Sequence, residues 1–336
     1  ASGFPVILRG CRFCQAGMIY RPLRIKSLEN LKQHAMALLD NTGYDEISLS
    51  SLSSSDYPYL GEFLDFLIEE TRKRNVNISL PSLRIDEFSL DVMNKIQDVK
   101  KSSLTFAPEA GTQRMRNVIN KGLTIEDIMH GAGLAFRGGW NKVKLYFMLG
   151  LPTETEEDVV GIADVAEEMA ELYYDTVPRE ERKGKVQITV STSFFIPKPF
   201  TPFQWEPMYS DEVYRDKAAL LNETIKGKLN KKSIRYIWHD TKTSVIEGLL
   251  ARGDRRLCAV IEKVYEDGGI FDAWTDYFDY DRWINALNAC GLSLDFYVYR
   301  RRSLDEILPW DHIDAGASKA FMLREYQNAL DEKVTD

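Results

Sequence analysis

Residues 144–159 read KLYFMLGLPTETEEDV. Lys144 aside, the first six are bulky and apolar, as expected of a strand buried in a sheet. Gly150 and Pro152 then punctuate the chain at a tight turn. Thr153 and Thr155 are candidate helix caps, and the acidic residues behind them fall where a helix dipole favours negative charge. A strand over 143–149 therefore runs through one short loop into a helix over 155–173.

The same alternation recurs through the first 210 residues. Strands are expected at 4–8, 46–49, 76–80, 103–107, 143–149 and 186–195. Helices are expected at 27–39, with Ser27 as cap, at 59–74, at 90–99, at 124–137, with Thr124 and Asp127 as a capping pair, and at 155–173. This succession makes an α/β fold with parallel strands and right-handed crossovers. An open doubly wound sheet and a β/α barrel both satisfy it, and periodicity does not choose between them. In either, chemistry belongs at the C-terminal ends of the strands. The unusual loops fall there: the serine-rich loop 50–56, PSLR at 81–84, APEAGT at 107–112, GLPTETEED at 150–158 and PKPFTPFQW at 197–205. Beyond Trp205 the pattern changes to a helix at 211–228, a short strand-like stretch at 234–238, and a mostly helical, aromatic-rich remainder. We expect a first domain over 1–210 and a second over 211–336. No linker composition separates them, so they should pack together.

The chain has 336 residues, a net charge of -8 and four cysteines. Its acidity leaves no broad basic field for nucleic acid. No apolar run has membrane-spanning length and no secretory leader is visible. The sparse cysteines suit a cytoplasmic chain with reduced thiols. The chain starts at ASGFPVILRG without a methionine, and a strand at once follows, as in a piece trimmed from a longer protein.

The segment RGCRFCQAG, residues 9–17, sets Cys11 and Cys14 two residues apart after the first expected strand. Such a pair serves zinc, redox disulfides or iron–sulfur clusters, and also occurs as ordinary buried cysteines. Zinc would need histidine or water to complete it, since Cys258 and Cys290 are remote in sequence. Gly17 and Pro22 argue against the long helix of a redox-active pair. His34, His130, His239 and His312 read as packing or surface residues. The Asp254–Arg256 run, within GDRRL, suits either a phosphate or acidic substrate, or structural ion pairs.

In wider context the chain resembles the radical S-adenosylmethionine (radical SAM) superfamily, whose signature is CxxxCxxC with an aromatic residue before the last cysteine. Cys11, Phe13 and Cys14 match its second half; the first cysteine position holds Ile7. A typical relative reads RGC, two residues, Gly, then CRFCQAG. Loss of four residues would give this chain, whether by engineering, by nature or by a gap in the sequence. The likeness extends to SLSSSDYPYL, ISLPSLRID, LTFAPEAGTQRMRNVINKG, PKPFTPFQW, GDRRL, FDAWTDYFD and LPWDHID. It points to a radical SAM group that usually carries an N-terminal cobalamin-binding domain.

The resemblance implies a partial (β/α)6 barrel with a mostly helical C-terminal extension. It implies a [4Fe–4S] cluster on three thiolates, two of them Cys11 and Cys14, and reductive cleavage of SAM to a 5′-deoxyadenosyl radical. It places Phe13 near the adenine. Ser51, Ser53 and Asp56 fall where the methionyl amine is held, Glu109 where SAM is contacted, and Gly150, Leu151 and Pro152 behind the adenine. Arg116, seven residues after Glu109, is expected to pair with its carboxylate. An electron donor such as ferredoxin or flavodoxin is implied, and cobalamin for a full-length protein. Methyl or methylthio transfer, with RNA or a ribosomal component as substrate, is the associated activity. With Ile7 in place of a ligand, the alternative is a cluster-deficient barrel that acts as a binding module.

Overall fold

A computed structural model describes residues 10–20, 24–49, 57–79, 104–182 and 184–335. The expected strand at 4–8, the helix at 90–99, the PSLR loop and the serine-rich loop lie outside them. The N-terminal elements are α1 (Gln15–Ile19), α2 (Leu28–Asn41), β1 (Glu46–Ser48), α3 (Leu60–Arg72) and β2 (Asn77–Ser79). Then come β3 (Leu104–Glu109), α4 (Gln113–Val118), α5 (Ile125–Arg137), β4 (Lys142–Leu149), α6 (Glu156–Thr176), β5 (Gln187–Phe194), α7 (Asp211–Gly227) and β6 (Ile234–Trp238). The chain ends in α8 (Thr241–Arg252), α9 (Leu257–Glu266), α10 (Tyr280–Ala289) and α11 (Lys319–Leu330).

The caps form as the sequence dictates. The Ser27 side chain accepts from the Asn30 N–H at the start of α2. Thr124 with Asp127, and Thr155 with Asp158, close reciprocal capping boxes on α5 and α6.

Strands β1 and β2 pair in parallel, and β3, β4, β5 and β6 form a second, all-parallel sheet in that order. Each strand lies beside its successor in sequence, with no reversal of direction across the sheet. That is the strand order a singly wound β/α barrel requires. Burial agrees. Along β4, Val143, Leu145, Phe147 and Leu149 are at most 1% exposed, whereas Lys144, Tyr146 and Met148 between them are only half-buried. The first set faces helices; the second, level with Thr189, Ser191 and Ser193 of β5, faces the open side. A doubly wound sheet would be buried on both faces. Among the described residues no strand pair joins the two sheets.

The stretch 234–238 is the fourth strand of this sheet, paired through Ile188↔Ile234 to Thr192↔Trp238. The sheet thus runs past the boundary expected near residue 210. One continuous core joins β3–β5 to α5, α6 and α7, and extends to Val260, Trp283, Ala286 and Tyr297. A second apolar cluster sits just past the C-terminal ends of β3, β4 and β5. It joins Ala110, Leu151 and Phe195 from those ends to Trp310, Met322 and Tyr326 from the end of the chain.

The loop after β3 approaches α6 more closely than any side chain permits. A Cβ on Gly111 would lie 2.3 Å from the Ile162 nitrogen and 2.5 Å from the Gly161 carbonyl carbon, both backbone. Gly111→Ala should therefore force the loop off the helix and destabilise the chain by about 2 kcal/mol or more. Urea unfolding would show this as a lower midpoint with an unchanged slope.

Candidate functional site

The CxxC loop is held by its second residue. Arg12 is fully buried. Its guanidinium donates to the Asn117 and Val118 carbonyls at 3.0 and 2.9 Å, to the Lys333 carbonyl at 2.7 Å, and to Glu325 Oε2 at 3.3 Å. Its backbone N–H bonds the Ile119 carbonyl at 3.0 Å. Cys11 and Cys14 stand on either side of this anchor, both half-buried thiols. The Cys11 carbonyl accepts from the Cys14 N–H at 3.1 Å, which closes a turn. Cys14 Sγ caps the five-residue α1 by accepting from the Gly17 N–H at 3.3 Å. Gln15 Nε2 reaches the Pro199 carbonyl at 3.2 Å and ties the loop to PKPFTPFQW.

Glu109 ends β3 at a register shift, with φ +68°. A side chain in that region is strained, and such strain gathers at functional sites. Burial pushes the Glu109 carboxyl above its usual value, and Lys121 Nζ, 3.4 Å away, only partly counters this. The same ammonium lies 6.0 Å from the centre of the Phe13 ring. Lys121 thus connects Glu109 to the cysteine loop.

Arg116 does not make the expected pair. Its guanidinium is spent on the Leu123, Ala110 and Gly111 carbonyls at 3.1, 3.1 and 3.3 Å, and on Gln113 Oε1 at 3.1 Å. It shapes the APEAGT loop from beneath. Helix α4 is only six residues long and is followed by Asn120 at φ +51°, which carries Lys121 back towards Glu109.

In the loop after β4, Gly150 (φ +84°) has no room for a side chain, because a Cβ would lie 2.4 Å from Tyr214 Cε1. Its N–H donates to Glu154 Oε1 at 2.9 Å, and Lys217 lies 2.8 Å from that carboxylate. Leu151 and Pro152 are buried, and Leu151 shares its apolar cluster with Phe13. Asp158 binds Thr112 and Arg114, and Arg114 donates to the Thr153 carbonyl at 2.9 Å. Burial lifts the Asp158 carboxyl, but hydrogen bonds from Arg114, Thr112 and Thr155 outweigh it and hold the pKa below its usual value.

Phe13, within the CxxC loop, shares an apolar cluster with Leu151 and is linked to Glu109 through Lys121; Gly150 and Pro152 flank Leu151 in the chain, and Ser51, Ser53 and Asp56 lie outside the described residues. Sequence reasoning missed Arg12, Asn120, Lys121 and Glu325. Asn120 Nδ2 reaches the Gly10 and Thr335 carbonyls at 3.3 and 3.0 Å. The signal available was the RNVINKG run, whose residues bind the cysteine loop from below.

A sequence model of the radical SAM superfamily matches residues 8–166, so this part of the chain is similar to radical SAM domains. An uncharacterized protein of Methanocaldococcus jannaschii is 34% identical over 254 residues, which cover 76% of this chain and 52% of that protein. Another protein of the same organism, named "Putative methylthiotransferase", is 25% identical over 165 residues, covering 47% of this chain and 36% of that protein. The chain thus spans about half, or less, of the length of the curated relatives it matches. No helix among the described residues is long and apolar enough to cross a membrane.

The superfamily implies a [4Fe–4S] cluster and SAM. The donors present fit that cluster only in part. Cys11 and Cys14 supply two thiolates on a rigid turn, and Ile7, at the third position, lies outside the described residues. Among the described residues no three His, Cys, Asp or Glu side chains are grouped to hold a metal. The set is one ligand short of the three that leave a single iron open for SAM.

Arg12→Met leaves Glu325 facing a buried apolar group. The substitution should cost about 3–5 kcal/mol in chemical unfolding, since removing one partner strands the other charge. Asp158 gives a pH test. Its folded pKa is depressed, so its contribution is complete above the unfolded value of about 3.9 and is lost as pH falls through the folded pKa. Asp158→Asn lacks it at every pH. Stability curves of the two proteins should stand apart at neutral pH and converge below about pH 4.

Proposed function

We propose that the chain is a radical SAM enzyme core that acts with a [4Fe–4S] cluster and SAM, with Cys11 and Cys14 as two of the three cluster ligands. What supports this reading is the CxxC turn whose Phe13 ring shares a cluster with Leu151 and lies 6.0 Å from the Lys121 ammonium, which in turn pairs with the strained, half-buried Glu109, all within residues that match the radical SAM superfamily. The cluster and SAM would supply reductive cleavage of SAM. Phe13 and the Gly150–Pro152 loop would flank the adenine; Glu109, Ser51, Ser53 and Asp56 would hold polar groups of SAM. Lys121 would set the charge and direction of Glu109. Arg116, whose donors are committed to backbone, would act by fixing the loop that carries Glu109. Of the two expected domains, 1–210 would carry the cysteine loop and the strands through β5, and 211–336 would add β6 and the helical extension packed on it. Methyl or methylthio transfer is the reaction class we favour, on the likeness to the protein named as a methylthiotransferase. An RNA or ribosomal substrate, a ferredoxin- or flavodoxin-type donor, a cobalamin domain in a full-length protein and a cytoplasmic setting complete the reading.

The incomplete ligand set favours a second reading. With two thiolates the chain would be a cluster-deficient barrel that binds a ligand or partner without SAM cleavage.

Anaerobic reconstitution with iron and sulfide separates them. On the enzyme reading, the chain takes up on the order of four irons and yields 5′-deoxyadenosine from SAM after dithionite reduction, and Cys11→Ser and Cys14→Ser each abolish both. On the second, neither occurs in this chain, and both appear once the CxxxCxxC loop is restored. If the restored loop also fails, the radical SAM enzyme reading is wrong.

A further inference from the structure

Five arginines crowd the junction between the PKPFTPFQW loop and the C-terminal region: Arg252, Arg256, Arg300, Arg301 and Arg302. Three carboxylates answer them, and each is already taken. Asp254 pairs with Arg256 at 2.6 Å, Glu306 with Arg300 at 2.6 Å, and Glu206 with Arg301 at 2.6 Å. Glu206 also accepts from the Tyr326 hydroxyl at 2.5 Å. Arg252 and Arg302, the two that are buried, at 0% and 3% exposed, are left without a carboxylate.

They touch each other and the same piece of backbone. Arg252 Nη1 donates to the Glu206 carbonyl at 2.5 Å; Arg302 Nη2 donates to the Arg252 carbonyl at 2.9 Å, and the Arg302 N–H bonds the Trp205 carbonyl at 2.9 Å. Among the described residues, the buried side-chain polar atoms without a partner are Arg252 Nε, Arg252 Nη2, Arg302 Nε and Trp205 Nε1. All four are N–H donors, and all belong to these three neighbouring residues.

Such an arrangement is costly as it stands. Each unanswered buried donor costs roughly 1–3 kcal/mol, and more when charged. Two guanidiniums side by side in a water-poor setting add repulsion. Burial and the nearby Arg302 and Arg300 hold Arg252 down to about 9. A surplus of two positive charges with only donors on offer calls for an acceptor with negative charge on several oxygens.

We propose that Arg252, Arg302 and Trp205 form a binding site for a phosphate dianion, either free or as the phosphate group of a larger ligand. Two guanidiniums match its two charges, and the four unpartnered N–H donors are of the kind its oxygens accept. The GDRR run thereby divides its work. Asp254 and Arg256 are a structural pair, while Arg252, just before them, binds the anion. The neighbouring Arg301 is exposed and paired with Glu206. The site stands on the Trp205–Tyr326 contact, with ring centres 5.9 Å apart, one residue along α11 from the Glu325 that holds the cysteine loop.

The test is calorimetric and thermal titration of the whole chain with inorganic phosphate, at ionic strength held constant with chloride. A saturable phosphate signal with a rising Tm is expected. Arg302→Lys, which keeps the charge but not the fork, should weaken it by about tenfold or more. Trp205→Phe, which keeps the ring and removes the indole N–H, should weaken it by a smaller factor. Adenosine 5′-monophosphate and ribose 5-phosphate in the same titration separate free phosphate from a phosphate ester: tighter binding of an ester identifies the larger ligand, and binding of inorganic phosphate alone identifies the free ion. No saturable phosphate signal in the wild-type chain would overturn the site, as would equal binding of acetate or undiminished binding in both variants. The wild-type result decides even if Arg302→Lys fails to fold.

Discussion

One buried guanidinium sets the terms for the rest of the structure. Arg12 brings a charge into an apolar interior, where the effective desolvation penalty is several kcal/mol. Only a full set of acceptors makes that tolerable, and they come from two distant places: the carbonyls that end α4, and Glu325 and Lys333 near the end of the chain. The CxxC turn, the loop below it and the C-terminal helix must therefore arrive together. Asn120 reinforces the junction by bonding Gly10 and Thr335. The last helix is thus a structural member of the cysteine loop, although more than 300 residues of chain separate Arg12 from Glu325.

With the loop fixed, strain becomes affordable at the strand ends. Glu109 ends β3, Thr153 and Phe200 follow β4 and β5, and each holds a positive φ that side chains avoid. Each such residue costs about 1–3 kcal/mol and persists only where its surroundings insist on it. Lys121 holds Glu109, Arg114 holds the Thr153 carbonyl, and Gln204 Oε1 accepts from the Phe200 N–H at 3.1 Å. Gln204 is itself gripped by the Trp310 indole at 2.7 Å. The three loops are preorganised, and aromatic residues from the C-terminal region supply part of the grip.

Local chemistry was legible in the sequence and long-range partnership was not. Caps, turns and strand positions are decided by neighbours within a few residues, so Ser27, Thr124 and the 144–159 unit read correctly. The winding of the sheet was hidden because a run such as VKLYFML looks the same whether one face or both are covered. Only the half-buried Lys144 and Tyr146 reveal the open side. Arg12 looked like a spacer between cysteines, since its acceptors are backbone carbonyls and carbonyls carry no sequence signature. Arg116 looked the better partner for Glu109 on helical spacing, but α4 stops after six residues and the left-handed Asn120 delivers Lys121 instead. The 234–238 strand was seen, but its place beside β5 was not, because pairing partners are not written in the strand itself.

The contacts described around the cysteine turn are all protein to protein. Arg12 anchors it, Gln15 ties it to Pro199, and Cys14 caps α1 with its own sulfur. In small metal-dependent domains the ligand loop orders only when the metal binds, so metal affinity and folding are one quantity. Here the turn has protein supports of its own. The Arg12 clamp, the Gln15 tie and the Cys14 cap hold the turn through contacts of the chain with itself. Stability of this region then reports on the Arg12 clamp, whose loss would strand the Glu325 charge. The strained Glu109, the crowded Gly150 and the Lys121 bridge are likewise held by neighbours within the chain, so the loops at the strand ends and the cysteine turn share one protein framework.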